Sequence, residues 1–298
     1  MTQAAIHSPS THQNLMLGLV LGVAAYVVVP MGDGIAKILT TMGYHSGQVT
    51  FGRYFFHMLF LMPIVLIKFG PSGFIPKNLK VQTFRALTIV IATFCFFSSL
   101  HTVPLADALS LAFVAPLVVT ALSVPILGEK VGIHRWVAVI IGFAGAMIII
   151  QPGSGVFQWP ALYALSAGAL FGVYITVTRK TAGDNPAFVS LLYQGVLGTA
   201  ALSILAFMNW SELTLEAVLL MAGVGAAAAT GHGLIIAATK YMEAALLAPL
   251  QYQELIVGAV FGYLVFGEIP ADSTWLGSGV IILSGLYIGY RERKTRSS

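Results

Sequence analysis

The chain repeats one pattern ten times: 17 to 25 mostly apolar residues, then a short break. The stretches cover residues 15–39, 48–68, 82–100, 105–127, 134–151, 158–178, 187–208, 215–238, 244–266 and 274–290. A helix that crosses the hydrocarbon layer of a bilayer needs about 20 such residues. Between the stretches lie residues that favour turns, as in Gly70-Pro71-Ser72-Gly73, Gly183-Asp184-Asn185-Pro186 and Ile269-Pro270-Ala271-Asp272. The stretches are too long for barrel strands and lack the alternation of polar and apolar residues that a barrel wall requires. The pattern predicts an all-α integral membrane protein with ten transmembrane helices.

Composition removes the competing classes. Only 9% of the 298 residues are charged, against 57% hydrophobic, and the mean hydropathy is +0.87. Soluble domains carry roughly 25% charged residues. Fifteen basic and eleven acidic side chains cannot coat a 31.6 kDa globule. A soluble enzyme, a nucleic-acid-binding protein and a disordered chain are therefore excluded. The single cysteine, Cys95, sits inside an apolar stretch, so neither a disulfide framework nor a cysteine metal cluster is expected.

Basic residues orient the spans, because they gather on the cytoplasmic side. With a cytoplasmic N-terminus, 13 of the 15 basic residues, among them Lys68, Arg85, Lys130 and Arg179, fall in inside segments, and the outside loops hold none. Lys37 and Arg53 remain within spans. Both termini are expected on the cytoplasmic face of the inner membrane. Residues 1–14 contain no Lys or Arg, so the first span reads as a retained helix rather than a cleaved signal.

Self-comparison at a spacing of 139 residues aligns Gly128-Glu129, six residues and Trp136 with Gly267-Glu268, six residues and Trp275. Each copy ends an apolar span and precedes one dotted with glycine. Two five-helix units must be antiparallel, since five is odd. Inverted repeats of this kind build secondary transporters, with the binding site near the midplane where the halves meet. The expected division is a tail at 1–14, one five-helix repeat at 15–151, a second at 152–290 and a basic tail at 291–298.

Local matches add to this: His101-Thr-Val-Pro-Leu-Ala-Asp107-Ala, Ala115-Pro116 and Leu127-Gly-Glu-Lys130 in the first half, and Ala248-Pro-Leu-Gln-Tyr252 and Phe266-Gly-Glu-Ile-Pro270 in the second. With ten spans as five plus five, they make the chain resemble EamA-type transporters of the drug/metabolite transporter superfamily. That resemblance implies import or export of metabolites such as amino acids, nucleosides or vitamins.

Charged residues inside a bilayer are costly and usually functional. Asp33 and Lys37 lie four apart on one helical face, acid before base, which suits an intrahelical pair. They read either as a self-neutralising structural pair or as part of a gate. Arg53 and His57 are also four apart, and Arg53 falls at about the depth of Asp33. An Asp33–Arg53 pair could gate or capture a carboxylate or phosphate, or simply clamp two helices. Glu254 stands near the midplane in the polar run Gln251-Tyr252-Gln253-Glu254, opposite Ala115 and Pro116 in the repeat alignment. It reads as a substrate and proton-coupling residue, or as a carboxylate permanently paired with Arg53, His232 or a tyrosine.

Tyr174 and His232 fall about one turn to the cytoplasmic side of that centre, and His232, flanked by glycines, equally fits close packing. His101, Asp107 and Glu243 fall at span ends, where solvation is expected. The sequence holds no zinc, phosphate-loop or paired-aspartate motif, so no catalytic residue, metal or cofactor is expected. The expected partners are a small-molecule substrate and the lipid bilayer, with a homodimer left open. Three functions compete: a secondary transporter of small polar metabolites, a membrane-embedded enzyme, and a scaffold or sensor. The repeat and the polar midplane favour the first.

Overall fold

The computed structural model describes residues 12–129, 131–153, 158–242 and 247–296, and these are helical with no strand among them. In chain order the helices are α1 (His12–Thr41), α2 (Ser46–Phe69), α3 (Leu79–Ser99), α4 (Leu105–Ala112), α5 (Ala115–Leu122), α6 (Ile133–Ile150), α7 (Pro160–Lys180), α8 (Ala187–Met208), α9 (Leu215–Ala238), α10 (Gln253–Phe266) and α11 (Asp272–Arg296). Lys130 and Glu243 lie outside the described residues.

Among the described residues, eight segments are long and apolar enough to cross a membrane: Leu15–Thr41, Ser46–Phe69, Leu79–Ser99, Leu105–Leu127, Ile133–Ile150, Pro160–Lys180, Ala187–Met208 and Leu215–Ala238. The expected ninth span departs from a plain helix. A 3-10 turn at Ala248–Tyr252 leads into α10, which has 14 residues. The expected tenth, α11, carries basic residues in its last turns. Large apolar side chains such as Ile67, Ile204 and Leu264 point outward at 70–85% exposure. Such a belt would be insoluble in water and is at home in lipid, and the chain is a multi-pass membrane protein.

Each break has a local cause. Gly128 and Gly267 take left-handed φ values of 71° and 68°, a region that only glycine enters freely. Their own N–H groups donate to Val124 and Tyr263, and those of the following glutamates reach back to Ser123 and Gly262. This closes the helix end by satisfying carbonyls that would otherwise lack partners. The fourth span is interrupted at Phe113–Val114, just before Pro116. Proline restarts a helix well, because it needs no N–H partner in the first turn.

The closest helix pairings are α1 with α9, α3 with α7, α2 with α8 and α6 with α11. Small residues set these crossings. A Cβ on Gly277 would lie 2.6 Å from the Gly145 carbonyl oxygen, and one on Gly225 would lie 2.8 Å from the His57 backbone nitrogen.

Candidate functional site

Five helices converge on a group of polar side chains inside this bundle. Arg53 and His57 stand one turn apart on α2, as their spacing predicts. His57 is 1% exposed, and its ring centroid lies 6.2 Å from that of His232 on α9, nearly perpendicular to it. Glycine makes the room: Gly195 of α8 and Gly225 of α9 back directly onto His57. Arg53 interacts electrostatically with both imidazoles and with Asp33 of α1. Asp33 in turn lies within electrostatic reach of Glu254, which occupies the first turn of α10. A carboxylate in the first turn of a helix is favoured by the exposed N–H groups there.

The cluster is short of hydrogen bonds. Arg53 Nη1 and Gln194 Oε1 on α8 are buried without a partner among the described residues, and the His57 ring nitrogens make no well-aligned hydrogen bond there, the Leu191 backbone being a polar neighbour. Leaving such a group unpaired costs about 1–3 kcal/mol, so a fold keeps several together only where something else satisfies them. Neither Asp33 nor Glu254 forms an ion pair among the described residues. Glu254 is thus not locked to Arg53 or His232. One guanidinium, two carboxylates, two imidazoles and an amide can together receive a molecule bearing both an anionic and a cationic group.

Other residues singled out from the sequence lie elsewhere. Lys37 does not pair with Asp33. Its Nζ meets the Glu268 carboxylate and donates to the Val103 carbonyl at 2.9 Å, and the residue is 3% exposed rather than reaching water. Tyr174 is held by Arg85, whose guanidinium lies 5.2 Å from its ring and donates to its hydroxyl at 3.4 Å. Arg85 lies inside α3 at 4% exposure rather than in water at the membrane face, and Gln82, Thr178 and the Ser190 carbonyl are also its partners.

Tyr252 stacks on Phe113 at 5.2 Å, joining the two broken helices at residues 139 apart. Gln251 is half-buried in the same turn. A cleft of about 480 Å³ lies beside this turn, between α4, α10 and α11, lined by Tyr252, Gln253 and Leu255 but not by Glu254 itself. Its Ser110, Ser278, Thr274 and Gln253 side chains are already hydrogen-bonded.

The sequence model of the EamA-like transporter family matches residues 15–151 and again residues 158–290. The chain belongs to the EamA-like transporter family. Among its relatives, an S-adenosylmethionine uptake transporter of Rickettsia bellii is 30% identical, over 89% of this chain and 90% of its own length. One from Rickettsia prowazekii is 28% identical over 91% and 92%. A riboflavin transporter of Vibrio cholerae is 29% identical over 78% and 80%. A solved structure 17% identical to the chain covers 96% of it and 99% of its own chain at a TM-score of 0.62, a likeness of fold alone. This EamA-like protein is a small-metabolite transporter and not an enzyme.

Proposed function

We propose that this transporter carries a small polar metabolite by alternating access between two inverted five-helix repeats, 15–151 and 152–290, in the inner membrane with both termini cytoplasmic. The observation that carries the reading is the set of buried polar atoms on Arg53, His57 and Gln194 without a well-aligned hydrogen bond, with Arg53 in electrostatic reach of Asp33 and Asp33 of Glu254, acids that form no ion pair among the described residues. Support for the repeats comes from the packing. Exchanging each span for its counterpart in the other half turns the α1–α9 pairing into α7–α3, and maps α2–α8 and α6–α11 onto themselves. Both midspan breaks and both Gly-Glu helix ends recur at the same 139-residue spacing.

In this account Arg53 receives the carboxylate of the substrate by paired hydrogen bonds. The imidazoles of His57 and His232 and the Gln194 amide contact its neutral part, with Gln251 and Tyr252 at the rim. Asp33 and Glu254 face its cationic group. S-adenosylmethionine has this distribution of charge and is the first substrate to test, and riboflavin, which lacks the cation, is the comparison. Glu254, an acid that forms no ion pair among the described residues, exchanges a proton as substrate leaves.

Purified protein in sealed vesicles should accumulate radiolabelled S-adenosylmethionine saturably, and a pH gradient should change the rate in wild type but not in Glu254→Gln. Equal rates with and without a gradient in wild type would leave Glu254 as a binding residue only. No uptake of either compound would reject this substrate class.

A further inference from the structure

The two Gly-Glu helix ends are built alike but finished differently. In each, a left-handed glycine turns the chain and the glutamate N–H closes onto the carbonyl six residues back. Open space surrounds a Cβ built at Gly128 or Gly267, so the backbone turn and not crowding requires glycine there. The turn aims the next carboxylate back across the helix end, and each finds a cation near the C-terminus of another long helix. Glu268 meets Lys37 of α1, and Glu129 meets Arg179 of α7.

These pairs lie at opposite ends of the bundle. The Lys37 end holds the α1–α2 turn and the segment between α3 and α4, since Lys37 bonds to Val103. The Arg179 end holds the α2–α3 connection, where the Lys77 N–H donates to Asn185 at 2.7 Å, just beyond α7. Helices of more than 20 residues, roughly 30 Å long, separate the two.

Their states differ. The Lys37 and Glu268 side chains are 4% and 23% exposed. Glu268 also accepts from the Leu105 N–H at 3.0 Å, and Lys37 Nζ lies 5.1 Å from the centre of the Phe266 ring. One charge pair therefore ties together α1, α4 and the end of α10. At the other end Arg179 and Glu129 meet at 3.2 Å with side chains 34% and 31% exposed. Water screens that contact far more strongly.

We propose that Lys37–Glu268 and Arg179–Glu129 are reciprocal latches, one for each side of the transporter, and that the conformer described here is sealed at the Lys37 end and loosely held at the Arg179 end. Moving substrate across requires the first pair to part while the second closes. This rests on the transporter reading, but its test needs no substrate.

Spin labels on Thr41→Cys with Ile269→Cys report on the Lys37 end, and labels on Ala182→Cys with Ile133→Cys report on the other, all in a Cys95→Ser background. Distances are measured by pulsed electron resonance on the full chain in nanodiscs. Wild type should show one short, narrow distance at the Lys37 end. A minor open state in a two-state protein is populated at roughly 0.1–10%. Lys37→Met and Glu268→Gln should each raise it to a resolved longer component there and narrow the distribution at the Arg179 end, and Lys37→Arg should restore the wild-type pattern.

Glu268→Gln keeps an acceptor for the Leu105 N–H, so its effect reads the lost charge rather than a lost fold. If both charge-removing variants leave the two distributions as in wild type, the pairs are static clamps and the proposal fails. A shift in distances without any metabolite uptake would instead uphold the latches and count against the transport reading.

Discussion

His57 separates a binding role from a structural one most cleanly. It is almost wholly buried, its ring nitrogens make no well-aligned hydrogen bond among the described residues beyond their approach to the Leu191 backbone, and glycines of α8 and α9 wall it in. His57→Leu replaces it with a side chain of similar volume, a change that cores tolerate well. In the empty protein the variant removes at least one unsatisfied ring nitrogen, which costs about 1–3 kcal/mol, and gives up only the ring's interaction with the Leu191 backbone. The fold should therefore be as stable as wild type or more so. For chains of 150–250 residues, 1 kcal/mol moves the unfolding midpoint by about 2–4 °C, so the expected outcome is a midpoint held or raised by several degrees.

Affinity should move the other way. Loss of one neutral hydrogen bond to substrate costs about 0.5–1.5 kcal/mol, or roughly 2–13-fold. Thermal unfolding of detergent-purified protein, with and without the metabolite that wild-type vesicles accumulate, reads both quantities. A midpoint lowered by several degrees with unchanged affinity would refute the reasoning and make His57 a packing residue.

The other predictions use the same contrast. Arg53→Met should weaken substrate binding by about 10–150-fold, the value of a hydrogen bond to a charged group, as titration calorimetry on the folded protein would read. Arg85→Met should do the opposite. It strips Gln82, Tyr174, Thr178 and the Ser190 carbonyl of a shared donor, so the midpoint should fall by several degrees while the affinity of the folded fraction holds. Gly277→Val should destabilise by about 1–3 kcal/mol through overpacking against α6, measured as a lowered midpoint, because its Cβ would meet the Gly145 carbonyl and the Ile149 side chain.

How far the sequence could be read depended on whether a signal was local. The Gly128 and Gly267 turns were legible because a positive φ demands glycine at one position, and the motif announces itself twice. The break in the fourth span was foreshadowed by Pro116 and appears at Phe113–Val114, while the polar run Gln251-Tyr252-Gln253-Glu254 straddles the end of a 3-10 turn and the start of α10.

Long-range partners were not legible. Nothing near Lys37 in sequence points to Glu268, 231 residues away, and the helical spacing to Asp33 offered a nearer partner that the packing does not use. Arg85 reads from the sequence as one of the basic residues that mark the cytoplasmic end of the 82–100 span. It lies inside α3 because neutral donors and acceptors on α3, α7 and α8 enclose it, a set that assembles only on folding. Gln194 was visible as a polar residue amid the apolar α8 stretch. Its significance comes from a buried side-chain oxygen left unpaired among the described residues, next in sequence to the Gly195 that backs onto His57.

The central claim is vectorial transport through the Arg53–His57–Glu254 cluster. Uptake of radiolabelled S-adenosylmethionine by sealed vesicles holding wild-type protein, Arg53→Met or Glu254→Gln tests it, with the same vesicles permeabilised as the control. The account predicts saturable accumulation by wild type that collapses on permeabilisation and falls at least tenfold in Arg53→Met at limiting substrate. Label retained equally by sealed and permeabilised vesicles, or uptake indifferent to both substitutions, would contradict it.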